Sequence, residues 1–218
     1  MQLHWKRGSA VSPRTRGLGA RHDERRREIA DAVLSIVADQ GLAAVSLNAT
    51  AARAGVSPGR VQHYFPARHD LIDAAFDRGN ALSSQRIRAR AGEDPETAEP
   101  RTVLTAVLTE LIPYDPTTRA HLRVRQSFNA LALADAAIAE RMRQLYAGLH
   151  GDLAAALSRD QDTGRVRPGL DPDREAVALT ATTEGLAYYV LIDAYDADRA
   201  RDLVLTAIST LYSPPATG

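Results

Sequence analysis

Arg60 and Gln62 stand two residues apart in the stretch Ser57-Pro58-Gly59-Arg60-Val61-Gln62-His63-Tyr64, and each carries paired hydrogen-bonding groups of fixed geometry. A guanidinium can place two donors on O6 and N7 of guanine, and a carboxamide can pair with N6 and N7 of adenine. Tyr64 and Arg68 follow, a hydroxyl and a guanidinium suited to phosphate oxygens, and Ser46 stands upstream where it can do the same from the other side. Gly59 permits close approach of a phosphodiester backbone. Taken singly, Ser46 and Ser57 are ordinary helix caps and an exposed arginine does nothing specific. The ordered set within the 23 residues from Ser46 to Arg68 carries the reading.

Those side chains need short, rigid elements to aim them. Ser46 precedes a helix that runs through Ala54, and Gly55 closes it because a residue without Cβ takes positive φ freely. Ser57 is a good N-cap and Pro58 suits the first helical position, so a second helix runs to about Tyr64, where Pro66 breaks it. Two short helices joined by the turn Ala54-Gly55-Val56-Ser57 make a helix-turn-helix. Val56 and Val61, with Leu47, Ala51 and Ala52, supply its small core and leave Gly59, Arg60, Gln62 and His63 outward.

The rest of the chain reads as helix throughout. Residues 1–22 mix Gly, Ser, Pro and Arg without apolar period and predict a disordered basic arm. Arg21, Arg25, Arg26 and Arg27 at its end either add phosphate or minor-groove contacts or belong to a tether. From Asp23 the residues Ile29, Ala32, Val33, Ile36 and Val37 recur at helical spacing up to Gly41. A helix-turn-helix domain over 23–70 is followed by a linking helix to about residue 90, and Gly92 to Pro100 is a loop. Residues 100–213 hold helices over Thr102–Ile112, Thr118–Leu133, Ala134–Arg159, Asp171–Ala194 and Asp198–Tyr212, with Asp160–Leu170 as loop. That gives about nine helices and an all-α class: an N-terminal three-helix unit and a C-terminal helical domain.

Composition narrows the function. The 218 residues balance 27 Lys/Arg against 27 Asp/Glu, but residues 1–69 hold 11 basic against 5 acidic and residues 70–218 hold 16 against 22. A basic front and an acidic back place the contact with a polyanion at the front. No cysteine is present, which excludes disulfides and thiolate metal sites. No apolar run reaches a membrane-spanning length and the first twenty residues lack a signal-peptide core, so a cytoplasmic location without membrane contact is expected. Sequence patterns of the type GxSxG, GxxxxGK, HExxH and CxxC are missing. Asp160-Gln161-Asp162-Thr163-Gly164 begins like a calcium loop but lacks its later glycine and glutamate. No enzyme activity, cofactor or metal is expected.

The run from Ser46 to Arg68 resembles the TetR family of bacterial transcriptional regulators, with the order Ser cap, short helix, Ala-Gly-Val-Ser, recognition helix, Phe65, and a basic residue three further on. The likeness spans residues 23–80. Two departures stand out: the tyrosine common at the Gln62 position is absent, and Arg68 replaces the usual lysine. The stretch Leu122–Tyr212 more weakly resembles the BetI-like branch through Leu122-Arg123-Val124, the Glu140–Leu153 helix, Val166-Arg167-Pro168-Gly169-Leu170-Asp171-Pro172 and Glu184-Gly185-Leu186. The resemblance implies a repressor that binds a palindromic DNA operator as a homodimer and is released by a small-molecule effector. A ligand-independent regulator, an activator, or an all-α enzyme with an appended DNA-binding domain are the alternatives.

The resemblance further implies dimerisation through the last two helices, with stripes Leu179, Thr183, Leu186, Val190 and Leu203, Val204, Ala207, Ile208, Leu211. Arg125 and Asn129, four apart on one helix face, occupy positions where the family often has large aromatics. Facing a cavity they would favour an anionic or hydrogen-bonding ligand; on a rotated helix they would face solvent. Tyr146, His150, Thr180 and Tyr188 are the other candidate pocket residues.

Overall fold

A computed structural model describes residues 18–92 and 97–212. They form nine α-helices and one 3-10 turn, with no strand among the described residues. The helices are α1 (Leu18–Gln40), α2 (Leu47–Ala54), α3 (Pro58–Tyr64), α4 (Arg68–Ala91), α5 (Pro100–Glu110), α6 (Pro116–Leu131), α7 (Ala136–Asp162), α8 (Pro172–Leu191) and α9 (Ala197–Leu211). The all-α class holds.

The starts of the helices follow from local chemistry. Ser46 accepts a hydrogen bond from the Ala49 N–H, Ser57 from Arg60, Glu99 from Thr102, Asp115 from Thr118 and Asp196 from Arg199. Each satisfies a backbone donor that the first helical turn leaves unpaired. In α3, α5, α6 and α8 the residue after the cap is proline, whose missing N–H costs nothing there. Gly55 ends α2 at φ 66°, a left-handed conformation that a side chain would strain.

Several boundaries shift by two or three residues, with α5 and α6 starting at Pro100 and Pro116 and α8 ending at Leu191, and two differ for tertiary reasons. The segment Leu18–His22 belongs to α1 and not to an arm, and residues 1–17 lie outside the described residues. The His22 ring meets Tyr64 with centroids 4.7 Å apart, which anchors this first turn. Residues Asp160–Asp162 complete α7 where a loop was expected. The buried Asp160 carboxylate accepts from Arg165 Nε at 2.8 Å and from the Tyr212 hydroxyl at 2.6 Å, tying the end of α7 to the end of α9. The 3-10 turn Leu42–Ala44 had no apolar period to announce it.

One hydrophobic core runs from Ile29 of α1 through Val61, Phe65, Leu71, Phe76, Leu104, Phe128, Leu149 and Leu157 to Leu211 of α9. Within it α4 and α6 meet closely. A Cβ at Gly79 would lie 2.2 Å from His121 Cδ2, so only glycine fits. His121 is buried and its Nε2 lies 3.1 Å from Asn80 Oδ1. Burial, reinforced by the charges of Arg125 and Arg86, lowers its pKa to about 3. Between pH 6.5 and about 3 the unfolded chain therefore takes up a proton that the folded chain refuses, and stability falls with pH across that window. At about pH 5 the expected loss from this residue is roughly 2 kcal/mol relative to neutral pH. Chemical denaturation of His121→Gln should show a correspondingly flatter pH dependence than the parent.

Candidate functional site

The outward face of α3 is built as its sequence suggests. Val61 is buried and Phe65 closes the helix from within the core, while Gly59, Arg60, Gln62 and His63 are exposed. No atom lies within 4 Å of where a Gly59 Cβ would stand, so this end of α3 is open to an outside partner. Ser46 and Ser57 are exposed and occupied as caps. Ala52, expected in the small core, is exposed instead; Thr50 and Ala51 are the buried residues of α2.

Two arginines have internal duties that the sequence did not reveal. Arg68 donates from Nε to the Val45 carbonyl and from Nη2 to the Leu42 carbonyl, both at 2.8 Å. It braces the 3-10 turn against the start of α4 while the residue stays exposed. Arg26 of α1 donates from Nη1 to the Tyr64 carbonyl at 3.0 Å and lies over the Phe65 ring at 4.4 Å. It thereby satisfies an orphan carbonyl at the end of α3 and fixes that end on α1. Tyr64 itself is half-buried between His22 and His63. Arg26→Gln is expected to lower stability by about 1–2 kcal/mol and to weaken DNA binding without changing its salt dependence. A salt slope reduced by about one would make Arg26 a phosphate contact instead.

Inside the C-terminal helices, α6, α7 and α8 bring together four of the six candidate pocket residues. Arg125 is 1% exposed and its Nη2 donates to Glu184 Oε1 at 2.6 Å. The Tyr146 hydroxyl donates to Glu184 Oε2 at 2.7 Å and lies 3.3 Å from Asn129 Oδ1. The Arg125 guanidinium sits 5.4 Å over the Tyr146 ring, and His150 stacks on that ring at 6.0 Å. Burial raises the Tyr146 pKa, so the hydroxyl stays a donor, and burial lowers that of His150, which keeps the imidazole neutral. Arg125 Nε and Nη1 are buried without a hydrogen-bond partner. Arg125 thus faces inward and not toward solvent.

The other two candidates fall elsewhere. Thr180 is buried, but its hydroxyl donates to the Ala176 carbonyl of its own helix at 2.8 Å. Tyr188 is 49% exposed and points away from the interior, because the buried face of α8 is set by Ala176, Leu179, Thr183, Ala187 and Val190. Glu184, the hub of the cluster, carries no signal in the sequence beyond its place in Glu184-Gly185-Leu186. Nothing local links it to an arginine 59 residues earlier.

The same orientation of α8 corrects the expected dimerisation stripes. Leu179, Thr183, Val190, Val204, Ile208 and Leu211 pack within their own chain. The apolar groups left outside are Val177, Tyr188, Tyr189 and Ile192 on α8 and Leu203 on α9. Gly185 is exposed among them, with no atom within 4 Å of where its Cβ would stand. A cavity of about 470 Å³ lies between α4 and α7, bordered by Phe76, Asn80, Arg88, Arg141 and Gln144. Arg141 covers both Phe76 and Phe128, which stack at 4.2 Å. None of these residues was singled out in the sequence, since none repeats with a spacing that distinguishes a cavity from a surface.

Comparison with known proteins agrees with this geometry. Residues 29–75 match the family model described as bacterial regulatory proteins, tetR family. Residues 100–213 match the model described as BetI-type transcriptional repressor, C-terminal. The chain is 23% identical to the HTH-type transcriptional regulator PksA of Bacillus subtilis, over 87% of this chain and 91% of that protein. A TetR-family transcriptional regulator from Rhodococcus sp. superposes with TM-score 0.71 and 29% identity, covering 88% of this chain and 100% of that one. A transcriptional regulator from Saccharomonospora viridis, solved in complex with choline, superposes with TM-score 0.74 at 24% identity over 86% and 96% of the two chains.

Proposed function

The chain belongs to the TetR family of bacterial transcriptional regulators, and we propose that it is a repressor that binds a palindromic operator as a homodimer and lets go of it when a small effector binds. The observation that carries the DNA-binding half is the open outer face of α3, where Arg60, Gln62 and His63 are exposed beside Gly59. Arg60 and Gln62 read base edges, Ser46, Tyr64 and Arg68 hold the phosphate backbone, and Gly55, Ser57 and Pro58 build the turn that aims them. Residues 23–70 are assigned to this task and residues 100–213 to ligand and partner. The family is one of regulators and not an enzyme class, and no helix among the described residues is long and apolar enough to cross a membrane.

For the effector, the support is the Arg125–Glu184–Tyr146–Asn129 cluster. A buried guanidinium with two unpartnered nitrogens favours a molecule that brings hydrogen-bond acceptors. Choline, carried by the Saccharomonospora neighbour, brings a cation and no carbonyl or carboxylate. Effector binding is tested by thermal melting against a metabolite panel, where a ligand of the native state raises the midpoint. A compound that raises it and frees operator DNA supports the reading; no shift from any compound supports a ligand-independent regulator.

For the dimer, the support is the outer apolar face of α8 and α9. Light scattering at micromolar concentration is expected to give twice the 23.6 kDa chain mass. Tyr188→Asp, on that outer face, is expected to give the single-chain mass with the helical content unchanged. A parent protein that is strictly monomeric would contradict the assembly.

A further inference from the structure

A groove that shares no residue with the Arg125 cluster lies between the end of α4, the outer side of α5 and the start of α9. Its volume is about 620 Å³. Thr102, Thr105 and Thr109 recur at three and four residues, so α5 lays one stripe of threonines beside Ala106 along the groove. The Thr109 hydroxyl is used by the Thr105 carbonyl and the Thr102 hydroxyl by Glu99, which leaves methyl groups as much of this surface.

Arg90 and Tyr114 form one wall, and a buried network holds both in place. The Glu110 carboxylate behind them is fully inaccessible. It accepts from Arg86 Nε at 2.6 Å and from the Tyr114 hydroxyl at 3.1 Å, with Arg90 Nη1 3.4 Å away. Arg90 Nη2 in turn donates to the Tyr114 hydroxyl oxygen at 2.6 Å, and its guanidinium lies 5.3 Å over the ring. One carboxylate shared by two guanidiniums leaves one positive charge in excess, and Arg90 is the member that borders the groove. The opposite wall is Asp198 and Arg201 of α9, one acid and one base that balance each other. The groove as a whole is therefore net positive, preorganised on one side and apolar along α5.

We propose that this groove binds a small organic anion: a carboxylate or phosphate group seated by Arg90 and Arg201, on a compact apolar body that lies along the α5 threonine stripe. Such a ligand would join the far end of α4, the helix that follows the recognition unit, to α9. Arg201 lies on the side of α9 away from Leu203, so the site stays open when the outer apolar face is covered.

The test uses the full chain and three probes: benzoate, phenyl phosphate and inorganic phosphate, each followed by calorimetric titration. Saturable binding of benzoate or phenyl phosphate is expected, and the one that binds identifies the anionic group. Arg201→Gln, an exposed substitution, should weaken it about tenfold or more, and Thr105→Glu should abolish it by placing a carboxylate in the groove. Arg143→Gln, which removes a cation from the exposed side of α7, should leave it unchanged. No saturable binding of either organic probe overturns the proposal, as does binding indifferent to Arg201→Gln. Inorganic phosphate binding as tightly as phenyl phosphate would overturn the role of the threonine stripe.

Discussion

Glu184→Ala is expected to destabilise the protein by about 3 kcal/mol, whereas Arg125→Met is expected to cost clearly less, because the carboxylate it leaves behind keeps partial contact with water and the Tyr146 hydroxyl. The asymmetry follows from burial. Arg125 is 1% exposed and Glu184 is its only carboxylate partner among the described ion pairs, so removing Glu184 strands a charge in a low-dielectric interior. Glu184 retains 22% of its side-chain exposure, which lets water relieve part of that penalty and places the cost at the low end of the range for broken buried pairs. Replacing the arginine by methionine removes the charge and its unpartnered nitrogens together, at similar volume. For a chain of this length the alanine variant should melt about 6–12 °C below the parent. Equal melting of Glu184→Ala and the parent would mean that the pair is solvated. The methionine variant then serves the effector question, because loss of release in a stably folded protein assigns Arg125 to the ligand.

The second large effect is on DNA. Arg60→Ala is expected to cost about 1–3 kcal/mol on operator DNA and much less on random sequence, since a bidentate guanine contact is lost only where that guanine stands. Arg68→Ala provides the contrast. Its Nε and Nη2 are engaged by the Val45 and Leu42 carbonyls, but its exposed charge remains available to a phosphate, so its loss should reduce thermal stability, weaken all DNA sequences alike and flatten the salt slope. Binding titrations at several salt concentrations separate the two. Equal losses on specific and random DNA for Arg60→Ala would make it a phosphate contact.

These contrasts show where sequence reasoning had purchase. Ser46, Gly55, Ser57 and Pro58 act through their own and adjacent backbone, so their roles were readable residue by residue, as was the start of α8 at Asp171-Pro172; α5 and α6 begin two residues before the expected Thr102 and Thr118, at the prolines that follow Glu99 and Asp115. The facing of α8 was not. It carries apolar residues on two sides, Leu179 and Val190 on one and Val177, Tyr188 and Ile192 on the other, and only packing on α7 and α9 decides which side is inner. Arg26, Arg68 and Arg125 illustrate the same limit for charge. An arginine in a sequence announces a cation, but its partner is set by elements 23 to 59 residues away. Hence the recognition helix was legible nearly whole, while the interior cluster was legible as candidates without their hub.

Selection of bound duplexes from a random pool, followed by footprinting, tests most directly whether the outer face of α3 reads DNA. The expected result is an enriched palindrome whose two half-sites are centred one helical turn, about 34–36 Å, apart. Protection should be lost in Arg60→Ala at the base pairs it contacts. A pool with no enriched motif, or a footprint indifferent to substitutions at Arg60 and Gln62, would contradict that reading of α3.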